Sequence, residues 1–163
     1  MSSRLLRTAD DPGPALARLT LAFVFFPHRA QHVLGWLGGY GFHGTLQWMT
    51  ATLGFPAPLA VLALVTELLA PFALLVGLGG RVAALGLVGL MLGALSTHWS
   101  NGFFMNWFGS LPAGQEGYEY HILAIALAAT VVIQGSGAWS VDRLLERRVR
   151  APGAAARPAA LAA

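Results

Sequence analysis

The sequence predicts an all-α protein, a four-helix transmembrane bundle with a short interfacial helix in its first outer loop. Three observations carry that expectation. Of 163 residues, 56% are hydrophobic and only 10% charged, against a charged share of about 25% in soluble domains. Four apolar tracts each approach the roughly 20 residues needed to cross a hydrocarbon core about 30 Å thick. The ten basic residues, all arginines, mostly flank those tracts, which is the positive-inside pattern and not the basic stripe of a nucleic-acid groove.

The first tract runs from about Ala15 to Leu34. Arg18 lies near its start, and the run "PHRAQH" interrupts its end. A cleaved signal peptide is the alternative, with Arg4 and Arg7 as its charged region. Asp10, Asp11, Pro12 and Pro14 intervene, however, and no small-residue cleavage site follows Phe26, so the tract reads as a span. In the following loop, "GTLQWMTATLGFP" puts Leu46, Met49 and Leu53 on one helical stripe and stops at Gly54 and Pro56, predicting the short interfacial or re-entrant helix.

The second tract, about Pro58 to Leu78, and the third, about Val82 to Trp99, are the clearest spans. They hold one carboxylate between them and are rich in Leu, Ala and Gly, as packed membrane helices are. Pro71 should release a backbone carbonyl and kink the second. The loop "SNGFFMNWFGSLPAGQEGYEY" mixes aromatics with Gly and Pro and is expected to dip against the bundle. The fourth span runs from about Tyr120 to Ala138. Residues 1–14 then form an N-terminal tail, 15–145 the membrane domain and 146–163 a basic tail. In that tail Leu144 to Arg150 should form a helix on the anionic inner leaflet, with disorder beyond it. No internal repeat is visible.

Arginine counting puts both termini and the "GLGGR" turn in the cytoplasm. The outer loops, Gly35 to Ala57 and Ser100 to Gly117, contain no Lys or Arg and gather most of the tryptophans, which suit the interface. At 1.5 Å of rise per residue, Glu67 then falls near mid-membrane. His28 and His32 fall in the outer half of the first span. His98 closes the third span at its outer end, and Glu119 and His121 open the fourth there. Charged residues cost about 2.5–3.5 kcal/mol at the centre of a membrane helix. Glu67 must therefore face the bundle interior, either carrying a proton or paired with a cation, Arg29 being the nearest in depth, with His28 or His32 behind it.

His28 and His32, at i and i+4, share a helical face, a spacing compatible with metal ligation. No Glu follows His28 in the zinc-protease pattern and the chain has no cysteine, so neither a metal nor haem is expected; polar anchoring is the plainer reading of this pair. His43 reads as a solvated loop histidine. "GLGGYGFHG" follows no strand and is a flexible turn, not a phosphate cradle. "WSVD" reads as an N-cap at Ser140 with Asp142 in the first turn. Without cysteines, thiol exchange with a quinone is excluded, and any redox role needs a bound cofactor or a partner.

Four sequence elements together resemble the DoxX family of small four-helix membrane proteins, over about Arg18 to Leu145. They are His28 with Gln31; Gly54, Phe55 and Pro56 leading to a helix with a central Glu67; His98 with Gly102, Phe103 and Phe104; and Gly135, Gly137, Ser140 and Asp142. Where many members have Gly after the first His and Lys after the Gln, this chain has Arg29 and His32. The resemblance implies a multi-pass protein of a bacterial inner membrane, related to the small subunit of a thiosulfate:quinone oxidoreductase. The expected function is a quinone-binding or redox-partner-anchoring subunit. Glu67, His28 and His32 would handle protons, and a quinone headgroup would sit among His28, Arg29, Gln31, His32, Glu67, His98 and His121. Histidine suits that task with an ordinary pKa of about 6.5. No covalent cofactor is expected. Expected partners are the bilayer, a redox subunit and a second copy of the chain, and no nucleic acid. Two other classes stay open: a noncatalytic scaffold or assembly factor, and a small proton-coupled transporter.

Overall fold

The computed structural model describes residues 7–112 and 114–150. The described residues form six α-helices and one 3-10 turn, with no strand among them. They are α1 (Pro12–His32), α2 (Gly41–Ala51), α3 (Ala57–Val76), α4 (Gly80–His98) running into the 3-10 turn Trp99–Asn101, α5 (Glu119–Gln134) and α6 (Val141–Arg150). The short helix expected in the first outer loop is α2. Residues 151–163, most of the basic tail, and residues 1–6 lie outside the described residues.

Each boundary has a local cause. Asp11 caps α1 by accepting a hydrogen bond from Gly13 N at 2.7 Å, and Pro12 follows at the position that needs no N–H donor. This starts the helix ahead of the expected Ala15. Gly77 ends α3 at φ 69°, the left-handed cap. The fourth tract is helical only to Gln134, short of the expected Ala138, because Gly135 and Gly137 turn the chain at positive φ.

The helices pack in a ring: α1 against α3 and α5, and α4 against α3 and α5. The seams α1/α3 and α4/α5 therefore lie opposite one another, while α2 packs on α1 and α3. The core consists of inward stripes at helical spacing, among them Leu21 and Phe25 of α1, Leu74 of α3, Leu87 and Met91 of α4, and Ala128 and Val131 of α5. Leu62, Leu69, Leu85 and Ile133 point outward and are exposed. Helices apolar both inside and out belong in lipid. By length and composition, α3 and Gly80–Asn101 are able to cross a membrane, and α5 is a shorter apolar helix.

One end of the ring, the turn end, is locked by two buried charges. Arg18 is 1% exposed. Its Nε donates to Ser136 O at 2.8 Å, its Nη1 to Leu74 O and Leu75 O at 2.7 Å each, and its Nη2 to Trp139 O at 2.8 Å and Ala138 O at 3.3 Å. It thus satisfies carbonyls left open at the end of α3 and in the α5–α6 connection. Asp142, also 1% exposed, accepts from Gly79 N, Gly80 N and Ser136 Oγ at 2.8, 3.1 and 2.6 Å, and so caps α4 from a distant part of the chain. Ser140 Oγ accepts from Arg143 N at 3.3 Å and caps α6. A Cβ on Gly77 would lie 2.5 Å from that of Ser140. Arg18, an interruption near the start of the first tract, makes five hydrogen bonds to backbone carbonyls.

Candidate functional site

The other end of the ring, the loop end, holds the histidines. On α3 the residues Ala60, Leu64, Glu67, Ala70 and Leu74 form one buried stripe. Glu67 therefore faces inward by its register and is 8% exposed. Pro71, four residues on, has no N–H to give the Glu67 carbonyl. His32, the last residue of α1, reaches across the α1/α3 seam: its Nδ1 lies 3.0 Å from Glu67 Oε2 and 3.2 Å from Oε1. One hydrogen bridges the imidazole and the carboxylate. His28 stands one turn below, its ring centre 6.0 Å from that of His32.

Arg29, the nearest expected partner of Glu67, is not its partner. Its guanidinium stacks 4.3 Å from the Phe72 ring centre, with Phe26 at 5.5 Å. The three-residue step from Arg29 to His32 leaves their side chains about 60° apart around the α1 axis, which aims the two side chains at different faces of α3. The cation is held by aromatic faces, while Arg29 Nε is buried with no hydrogen-bond partner. Gln31 serves the first loop, with Nε2 donating to Leu37 O at 3.4 Å. His43 is exposed, packed edge-on against Phe42.

On the opposite seam His98 of α4 and His121 of α5 lie with ring centres 4.8 Å apart. His98 Nδ1 is 2.9 Å from Ala94 O and 3.0 Å from Thr97 Oγ1. No hydrogen bond or ring contact joins this pair to His32 and Glu67 among the described residues. The seven expected site residues thus resolve into a His28–His32–Glu67 group, a His98–His121 pair, Arg29 on its two rings, and Gln31 in the loop. Glu119 is tied to the second loop, accepting from Met105 N at 3.2 Å and Trp107 Nε1 at 2.9 Å. That loop folds on its own hydrogen bonds, yet Phe104, Trp107 and Phe108 point outward and are exposed.

Two buried hydroxyls escaped sequence reading. Thr45 Oγ1 and Tyr120 OH lack hydrogen-bond partners. Thr45 is the buried residue of α2, one position from the stripe expected at Leu46, Met49 and Leu53. Tyr120, expected only as the start of the fourth span, is partly buried and packs against the core. A cleft of about 420 Å³ opens at the turn end, away from the histidines, lined by Arg7, Thr8, Arg81, Gln134 and Glu146. Its Arg81 already donates to the Val132, Ile133 and Arg7 carbonyls, capping the end of α5.

A ring of helices with apolar exteriors and its buried charged and titratable groups turned inward defines a helical membrane protein. A family model, DoxX, matches residues 13–100, and the chain belongs to the DoxX family. The matched segment includes His28, Arg29, Gln31, His32, Glu67 and His98 and ends before His121. Neither the curated proteins nor the solved structures include a match to this chain.

Proposed function

We propose that the chain is a quinone-binding subunit of a membrane oxidoreductase, with the headgroup held beside Glu67, His32 and His28 on the α1/α3 seam. The observation that carries this reading is the bridge between Glu67 and His32. A carboxylate set inward at mid-helix and an imidazole from a second helix share one hydrogen, with another imidazole a turn away. A quinone takes up two electrons and two protons on reduction. Ring N–H groups suit its carbonyl oxygens, and a linked carboxyl and imidazole can pass a proton inward or outward. With no cysteine in the chain, the electrons come through a bound cofactor or a partner subunit. Arginines at the turn end and none in either loop favour a bacterial inner-membrane orientation with that end cytoplasmic.

The same bridge also suits a strut in a noncatalytic scaffold, because it satisfies both groups and ties α1 to α3. Solvent extraction of the detergent-purified protein, followed by optical spectra, separates the two readings. Bound quinone that is lost in Glu67→Gln, with the melting temperature held, supports the quinone site. No quinone in the native protein, with a melt that falls in Glu67→Gln, supports the strut.

A further inference from the structure

The second loop, between α4 and α5, is not used by that reading, and it is built inside out for a loop in water. Its two arms pair with each other: Gly117 N, Tyr118 N and Glu119 N donate to Phe104 O, Gly102 O and Phe103 O at 3.0, 3.2 and 3.0 Å. The arms meet so closely that a Cβ on Gly117 would lie 2.4 Å from Phe104 O. Polar side chains also serve the loop's own backbone. Asn101 Nδ2 donates to Gly114 O and Glu116 O at 3.1 and 3.0 Å. Asn106 donates to Leu111 O at 2.7 Å and accepts from Leu111 N at 3.0 Å. Outside this frame stand the rings of Phe104, Trp107 and Phe108, which are 75%, 71% and 96% exposed. A loop in water can leave its polar groups to solvent, whereas one against lipid has to satisfy them internally.

The length of α5 gives the loop its depth. Its 16 residues rise about 24 Å, about 6 Å less than a hydrocarbon core about 30 Å thick. Arg81, at the start of α4, donates to the Val132 and Ile133 carbonyls and holds the two helices level at the turn end. The shortfall therefore falls at Glu119, where the loop joins α5. The apolar exterior continues across that junction: Ile122 and Leu123 of α5 are exposed, as is Trp99, which stacks on Tyr118 at 4.8 Å. An exposed apolar patch marks a protein or a membrane contact. With no Lys or Arg in the loop and both Glu119 oxygens already bonded, this patch lacks the polar rim of a protein interface. We propose that the second loop is seated in the bilayer at the loop end, with Phe104, Trp107 and Phe108 in the boundary between headgroups and acyl chains, where aromatic rings settle. The loop thereby completes the span that α5 leaves short. The proposal stands independently of the quinone reading.

The chain has no cysteine, so a single-cysteine variant carries a nitroxide label at one place only. Phe104→Cys and Phe108→Cys are made in the full chain and reconstituted in phosphatidylcholine vesicles, with Leu123→Cys on α5 as the lipid reference. Relaxation of the labels by oxygen, which partitions into lipid, should exceed relaxation by a water-soluble nickel chelate several-fold at both loop positions, and both labels should lie shallower than the one on α5. A nickel response equal to that of free label in buffer overturns the proposal, because the rings then stand in water. Shielding from both agents overturns it as well, because a second copy of the chain then covers them. The unsubstituted chain gives a second reading should a variant fail to fold. In vesicles containing a phosphatidylcholine with a diazirine near the top of its acyl chain, photolysis should attach lipid to the segment 102–112, read by mass spectrometry. A segment that stays free of lipid overturns the proposal.

Discussion

The two ends of the bundle bury polar groups in opposite ways. At the turn end Arg18 and Asp142 are almost fully enclosed, and every bond they make goes to a backbone group or to Ser136. At the loop end Arg29 Nε, Thr45 Oγ1, Tyr120 OH and His121 Nδ1 are buried without partners, and Glu67 is met by a single imidazole. A buried polar group is normally satisfied. A fully satisfied cluster reads as architecture, and a partly satisfied one beside titratable side chains reads as a place for a ligand. The difference teaches that charge inside a membrane helix does not by itself mark a site. The distinguishing feature is whether the protein uses up the hydrogen-bonding capacity it has buried.

The largest effect is expected at the turn end. Arg18→Leu would strand the carbonyls of Ser136, Leu75 and Trp139 and loosen the junction of α1, α3 and the α5–α6 connection. At about 1–3 kcal/mol for each orphaned group, a loss of at least about 3 kcal/mol is expected in denaturant titration of the detergent-solubilised protein. Arg18→Lys should recover only part of it, since an ammonium cannot span five acceptors in a planar fork. If Arg18→Leu unfolds like the parent, the turn end is not the lock described here. Gly77→Ala comes next. It forces a Cβ into a left-handed φ and against Ser140, for about 2–4 kcal/mol in the same measurement.

Those residues also show how far the sequence was legible. Four apolar tracts, their arginine flanks and the inward, mid-helix place of Glu67 were readable, because hydropathy and helical spacing are local quantities. Arg18 was readable only as a flaw in the first span: its acceptors at Leu74 and Ser136 lie far along the chain, and carbonyl partners leave no mark in side-chain spelling. The choice of His32 over Arg29 for Glu67 was equally hidden. It turns on the rotation of α1 about its axis, which tertiary packing fixes. His98 and His121 could be assigned to the same end of the bundle, but their pairing awaited the α4/α5 contact.

At the loop end the effects on stability should be smaller and those on ligand larger. Glu67→Gln keeps a hydrogen-bonding group opposite His32, so its stability change should stay within about 1 kcal/mol, while copurified quinone should fall several-fold. A stability loss as large as that of Arg18→Leu would erase the contrast between the two ends and make Glu67 part of the architecture.

The smallest expected effect tests whether satisfaction is the right criterion within the loop end itself. Glu119 is titratable and lies two residues from His121, but it is bonded by Met105 N and Trp107 Nε1, so the criterion assigns it to structure. Trp107→Phe removes one donor at an exposed position and should cost about 0.5–1.5 kcal/mol at most, with quinone content unchanged. A loss of quinone in that variant would show that the second loop shapes a site. The line between architecture and function would then run through the loop end and no longer between the two ends of the bundle.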